Sequence, residues 1–254
     1  MITSFDNPKL KKIRELMENP RSRREEGAFV AEGSRLFSEI PEELLISVFL
    51  SESFREKNPE ISGEVVSDKV FKRLSDTKTP QGILALVKIP EYSLSDLFKD
   101  EKGLYIVAEG LQDPGNLGTI LRTGEAAGLK CLIADRDTVD VYSPKVVRST
   151  MGAVFRVPCI YTEDLPSAIG KMKDAGISVY AADLKGSKEY QKVKYNDRSA
   201  FLIGNEGRGL SQKISDLSDI KIRIPMKGRV ESLNAAVSAA LLMYQYCIDT
   251  GEFE

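Results

Sequence analysis

Three stretches of this chain gather glycine, asparagine, arginine and acid directly after apolar runs. The first is Glu109-Gly-Leu-Gln-Asp-Pro-Gly-Asn116-Leu-Gly-Thr-Ile-Leu-Arg122. Pro114-Gly115 makes a turn, and Asn116 stands where a helix N-cap is wanted. Arg122 follows within two turns, on a broad shared face. The second is Phe201-Leu-Ile-Gly204-Asn-Glu206-Gly-Arg-Gly-Leu210. Its three glycines suit positive φ or close approach of backbone to a ligand. The third is Ile222-Arg-Ile224-Pro-Met226-Lys-Gly-Arg-Val-Glu-Ser232-Leu233-Asn234. Here a strand ends at Pro225, Lys227 and Arg229 make a basic loop, and Ser232 reads as the cap of a helix with Asn234 in its first turn. The side chains on offer are amides, hydroxyls, one central carboxylate and fixed cations. Histidine is absent from the whole chain. Imidazole bases, Ser-His and Cys-His nucleophiles and histidine metal sites are therefore excluded, and any proton transfer needs another group.

Elements must bring these stretches together. Apolar runs at 104–108, 129–134, 153–157, 177–181, 200–203 and 220–224 read as strands. They alternate with helical patterns at 116–127, 144–150, 165–175 and 232–248, which argues a parallel sheet covered on both faces. In such a sheet ligands bind at the carboxyl ends of the strands, where all three stretches lie. The last helix is apolar nearly all round, so part of it needs cover beyond its own domain. Shorter strands at 28–31, 44–50, 64–66 and 83–87, with helices at 33–40, 53–57 and 68–75, make a smaller α/β domain over residues 1–88. A polar, proline-containing linker over 89–102 precedes a domain over 103–254.

Composition narrows the class. Lys+Arg is 36 and Asp+Glu 38, a net charge of −2, so no global field draws the chain to nucleic acid or membrane. Residues 1–24 are locally basic, through Lys9, Lys11, Lys12, Arg14, Arg21, Arg23 and Arg24, and suit either a solvated helix face or a nucleic-acid contact. Cys131, Cys159 and Cys247 have no metal-ligand or redox spacing and read as buried thiols in a reducing compartment. No apolar run resembles a signal peptide or spans a bilayer, so a cytoplasmic protein is expected. The glycine order in 204–209 is neither a dinucleotide fingerprint nor a P-loop.

Taken together and in this order, the three stretches resemble the motifs of the SpoU-like, or TrmH-type, RNA 2′-O-ribose methyltransferases of the SPOUT superfamily. The carriers are Asn116 with Arg122, then Ile203-Gly-Asn-Glu206-Gly, then Ile224-Pro-Met with Glu231-Ser232-Leu-Asn234-Ala-Ala-Val. The N-terminal part, through Phe29-Val-Ala-Glu32-Gly33 and Leu74-Ser-Asp-Thr77-Lys-Thr-Pro80-Gln81-Gly82-Ile83, resembles the L30e-like substrate-binding domain often attached to these enzymes.

The resemblance implies an α/β fold with a trefoil knot in the C-terminal parallel-sheet domain, a homodimer, and S-adenosyl-L-methionine as cofactor. Gly204, Ile224, Met226 and Leu233 would line its pocket. Arg122, Asn116, Glu206, Ser232 and Asn234 would be the catalytic set. The implied reaction is methyl transfer to a ribose 2′-hydroxyl of RNA, ribosomal RNA first and transfer RNA second, with no metal. Arg122 is the implied base, although a guanidinium resists deprotonation and serves equally as a forked phosphate clamp; Glu206 is the other candidate base. Two other classes fit less well. A catalytically silent RNA-binding protein of this fold would lack Arg122 or Asn234, and a nucleotide-dependent oxidoreductase would carry the missing fingerprint.

Overall fold

The computed structural model describes residues 1–251 and resolves into two compact units. The last three residues of the expected 103–254 domain lie outside the described residues.

The first unit comprises Met1–Glu91 together with Asp140–Phe155. Its sheet contains β1 (Ala28–Glu32), β2 (Leu45–Ser51), β3 (Glu64–Val66) and β4 (Ile83–Lys88), in the order β1-β4-β2-β3. β4 runs antiparallel to both neighbours, and β2 and β3 are parallel. Helices Pro8–Glu18 and Pro20–Glu26 open the chain, each with proline at its start and an asparagine, Asn7 or Asn19, as its side-chain cap. Leu10, Ile13 and Leu16 fall on one face and are buried with Val30, Phe49 and Phe71.

The basic character of this segment is largely neutralised. Lys9, Lys11, Lys12, Arg14 and Arg21 pair with Glu64, Asp6, Glu26, Glu18 and Glu25. Arg23 is only 2% exposed. It donates to Asp140 at 2.7 Å and to the carbonyls of Leu16 and Met17. Arg23 is therefore a core cation and not a surface contact. Phe29 packs tilted against Tyr142 and stacks on Phe155, with ring centroids 4.9 and 6.1 Å apart. Residues 140–155, which lie inside the expected C-terminal domain in sequence, complete the core of the first unit.

The second unit holds Tyr92–Val139 and the chain from Arg156 onward. Seven strands, β5 (Gly103–Ala108), β6 (Leu129–Asp135), β7 (Cys159–Thr162), β8 (Ser178–Ala182), β9 (Lys188–Glu189), β10 (Arg198–Ile203) and β11 (Ile220–Arg223), lie in the order β7-β6-β5-β10-β8-β11-β9. Every pairing is parallel. That explains why β5 is buried at every position and reads as a continuous apolar run.

The strand predicted over 153–157 does not form there. Met151 and Gly152 adopt left-handed backbone, Ala153–Phe155 makes one buried 3₁₀ turn, and the strand starts only after Pro158, at Cys159. The second half of the predicted linker is also structured. Helix Leu94–Leu97 packs on the sheet, Phe98 meets Tyr105 edge-on at 5.5 Å, and the Tyr105 hydroxyl donates to the Leu97 carbonyl.

Candidate active site

The carboxyl ends of β5, β10 and β11 lead into the three glycine- and asparagine-rich stretches, and all three belong to the second unit. The loop after β5 is held from several sides. Asp135 accepts from Gly110 N at 3.0 Å and from the Thr138 hydroxyl at 2.7 Å. Glu109 accepts from Ser211 N and Oγ, and Asn205 Nδ2 donates to the Gly110 carbonyl at 2.7 Å.

The helix that follows is Pro114–Ala126, and its cap is Asp113, which accepts from Asn116 N at 2.8 Å. The expected cap, Asn116, thus sits three residues inside the helix. Proline favours the first helical position, so the cap falls one residue before Pro114. Asn116 is then free to use its amide laterally: Nδ2 donates to Glu206 Oε1 at 3.0 Å, and Oδ1 accepts from Asn234 Nδ2 at 2.8 Å.

Asn234, not Ser232, caps the final helix Ala235–Thr250, accepting from Ala236 N and Val237 N. Asparagine is as good a cap as serine, and only Asn234 has an amide left over to reach Asn116. Ser232 lies exposed in the loop before it.

Glu206 joins the second stretch to the first. Its carboxylate accepts from Gln112 N, Asp113 N and Asn116 Nδ2, each at 3.0 Å. Partial burial acts to raise its pKa, but the hydrogen bonds from Asn116, Asp113 and Gln112 outweigh burial and hold it below the ordinary value of 4.5. A single hydrogen-bonded chain therefore runs from the backbone after β5, through Glu206 and Asn116, to Asn234 and the first turn of the final helix.

Around Glu206 the backbone folds on itself. Asn205 and Gly209 exchange backbone hydrogen bonds, Asn205 Oδ1 accepts from Gly207 N and Arg208 N, and Gly209 has φ +68°. A Cβ on Gly204 would fall 2.2 Å from Gly209 C and Leu210 N. Gly204 is thus required by its own turn.

Beside this turn lies a cleft bordered by Gly204, Glu206, Ile224, Met226, Ser232 and Leu233. The four residues expected to hold a cofactor share one cavity. Asn116 links Glu206, on the border of this cleft, to Asn234. Arg122 is exposed on its helix, and among the described residues it makes no hydrogen bond or ion pair. The sequence reading missed Asp113, Asn205 and Asp135, which build the scaffold, and Ala182–Leu184, which line the cleft after β8. An aspartate directly before Pro-Gly was the available sign of the cap; the 182–184 wall had none, because its strand precedes no motif.

Among the described residues no group of three His, Cys, Asp or Glu could hold a metal ion, and no helix is long and apolar enough to cross a membrane.

Comparison with known proteins gives the family. The profile of the SpoU rRNA Methylase family matches residues 103–244, and that of an MRM3-like substrate binding domain matches residues 7–85. The chain is 31% identical over 248 residues to the 23S rRNA (guanosine(2553)-2′-O)-methyltransferase RlmP of Bacillus subtilis, covering 96% of this chain and 97% of that protein. It superposes with TM-score 0.83 on an AdoMet-bound rRNA methyltransferase from Sinorhizobium meliloti, at 31% identity and 97% coverage of each chain. The SpoU methyltransferase AviRb from Streptomyces viridochromogenes gives TM-score 0.82 at 26% identity, covering 98% of this chain and 99% of that one. With one family profile spanning more than half its length and a relative of this identity along nearly all of it, the chain belongs to the SpoU rRNA methylase family.

Proposed function

We propose that this protein transfers a methyl group from S-adenosylmethionine to a ribose 2′-hydroxyl of ribosomal RNA. The observation that carries the reading is the chain Glu206–Asn116–Asn234, which ties three motifs together at the edge of one cleft. The cleft suits the cofactor chemically. Ile224, Met226 and Leu233 offer apolar surface for a purine and a thioether-like chain, while the turn at Gly204–Gly209 offers polar backbone edges. When bound, the sulfonium supplies an already electrophilic methyl group.

The chain's own residues then hold and orient. Gly204, Ile224, Met226 and Leu233 fix the cofactor, and Ser232 lies at its rim. Arg122 supplies a forked cation to an RNA phosphate and to charge developing on the 2′ oxygen. Glu206 is a positioning residue: its lone pairs are engaged and its proton affinity is lowered, which makes it a weak base. Asn116 and Asn234 keep Glu206 and the two helix starts in register. Placing donor and acceptor in line accounts for much of the rate.

Two finer features belong to the same reading. The first is the family's trefoil knot, supported by two places where backbones pass with no room for a side chain: Gly204 against Gly209–Leu210, and Gly186, where a Cβ would fall 2.5 Å from Ile222 C. The second is a homodimer. The final helix buries Ala236, Ala239, Leu242, Met243 and Tyr246, yet leaves Val237, Tyr244 and Ile248 exposed at 48%, 42% and 65%. The buried thiols of Cys131 and Cys159, together with a ribosomal substrate, support a cytoplasmic location.

The deciding experiment is transfer of tritiated methyl from S-adenosylmethionine to unmodified ribosomal RNA transcripts, with transfer RNA in parallel, followed by mapping of the labelled nucleotide. Label on a ribosomal ribose supports the reading. Label on transfer RNA alone changes the substrate, and label on a base or on neither overturns the reaction.

A further inference from the structure

The first unit contains its own cavity of about 310 Å3, bordered by Ser53, Phe54, Lys57, Asp68, Lys72 and Gln81. That size falls within the roughly 300–1,000 Å3 typical of small-ligand sites. Its walls are built from elements that the methyl-transfer site does not use. Glu32 is a carboxylate buried in a strand, and all its bonds go to one turn: it accepts from the Ser75 hydroxyl, from Thr77 Oγ1 at 2.8 Å and from Asp76 N at 3.2 Å. Arg148 clamps Asp76 at 2.7 Å, and Gln81 Oε1 accepts from Ser34 N at 2.8 Å. The segment 75–82 is thus pinned at both ends. Gly82, with φ +91°, lies so close to Phe54 that a Cβ would meet the Phe54 Cβ at 2.6 Å. Opposite, Asp68 accepts from Ser53 N at 3.1 Å and from the Ser53 hydroxyl.

Three kinds of group face this rigid hollow. Phe54 is half-buried and gives an aromatic surface. Lys57 and Lys72 are exposed, and among the described residues neither makes an ion pair or hydrogen bond. Asp68 supplies an acceptor and the Gln81 amide a donor. A bare anion would use the lysines but be repelled by Asp68. A base within a duplex could not enter a concave site, whereas an unstacked base can lie on an aromatic ring while its polar edge is read.

We propose that this cavity is a nucleotide subsite, taking one unpaired nucleotide of the substrate RNA with its base on Phe54, its polar edge toward Asp68 and Gln81, and its phosphate on Lys57 and Lys72. The proposal rests on the reading of RNA as substrate and adds a second point of recognition, within the first unit.

The test uses the full chain. Amide shifts of 15N-labelled protein are followed during titration with each of the four nucleoside 5′-monophosphates, with inorganic phosphate as control, in the wild type and in Lys57→Gln/Lys72→Gln. Saturable shifts at Ser53, Gln81 and Gly82 are expected with at least one nucleotide, with none from phosphate and loss in the double variant. In methyl transfer to ribosomal RNA, Lys57→Gln/Lys72→Gln and Phe54→Ala should each raise KM for RNA roughly 10-fold while KM for S-adenosylmethionine stays constant. Equal shifts with phosphate, shifts only elsewhere, or an unchanged KM for RNA in the lysine variant would overturn the subsite. If no RNA accepts methyl from the wild type, the proposed reaction falls, and the titration still decides the cavity.

Discussion

Arg122 carries the proposed chemistry, and its surroundings make it easy to test. It is exposed and unpaired among the described residues, so removing it should leave the fold alone. Arg122→Ala should shift stability by no more than about 0.5 kcal/mol and reduce kcat by roughly 10²–10³, the usual effect of losing one transition-state donor. Arg122→Lys keeps the charge but not the fork and should fall between. Full methyl transfer by the alanine variant would remove Arg122 from the reaction. Glu206 should behave in the opposite way. Its pKa lies below the ordinary 4.5 in the folded state, so ionised Glu206 contributes stability fully above that value, and the contribution fades as pH falls through the lower, folded value. Glu206→Gln places an NH₂ against a backbone N–H and should cost about 1–2 kcal/mol at neutral pH. Thermal unfolding of both proteins, scanned downward from about pH 6, should show their difference constant at first and shrinking below about pH 4.5. A difference independent of pH would show that the charge is not what holds the loops. At this scale the family resemblance singled out Asn116, Glu206 and Asn234, which the structure joins, and Arg122, which stands apart from them. The bonding was not legible in the sequence: it depends on which residue takes each cap, a choice made by Pro114 and by lateral hydrogen bonds across 118 positions of chain.

Elements tell a similar story at longer range. The strands of the second unit were readable because burial on both faces leaves apolar runs, over all of β5 and over residues 131–134 and 200–203 in β6 and β10. The two-residue β9 carries no such run. The failed strand at 153–157 shows the limit of apolar pattern: Ala153, Val154 and Phe155 are buried as predicted, but in a 3₁₀ turn of the first unit. The turn after β10 carries a sharp prediction. Gly204→Val would drive a Cβ into the backbone of Gly209 and Leu210. Cofactor affinity by calorimetry and the thermal midpoint should therefore fall together. Loss of affinity with an unchanged midpoint would mean that the glycine answers to the ligand instead of to its own turn.

For the whole molecule, the interleaving of the chain matters most. Asp140 lies 117 positions from Arg23, yet it is the ion-pair partner of that nearly inaccessible guanidinium. Arg23→Ala would leave Asp140 without its cation and open a hole among buried side chains, at a cost of about 3–5 kcal/mol. A fragment of residues 1–91 should show no cooperative unfolding transition, since it lacks Asp140, Tyr142 and Phe155. A fragment that melts as sharply as the intact protein would show that the later segment is dispensable. The exposed stripe on the final helix gives the second prediction at this scale. The wild type should be a dimer by light scattering at micromolar concentration, and Ile248→Glu should be a monomer with its helix intact by circular dichroism. A monomeric wild type would require another reason for an exposed isoleucine.

The same interleaving imposes a timetable on synthesis. Once residue 91 has left the ribosome, the N-terminal unit has its four strands but not the helix and rings of 140–155. At about 5–20 residues per second, the missing piece follows roughly 3–13 s later. Throughout that interval Phe29 has no ring to stack on and Arg23 no carboxylate to meet. The nascent chain therefore spends seconds with an apolar seat open to solvent, long on the scale of collapse and hairpin formation. For this protein, the period of greatest exposure to aggregation is set by the order in which its residues are translated.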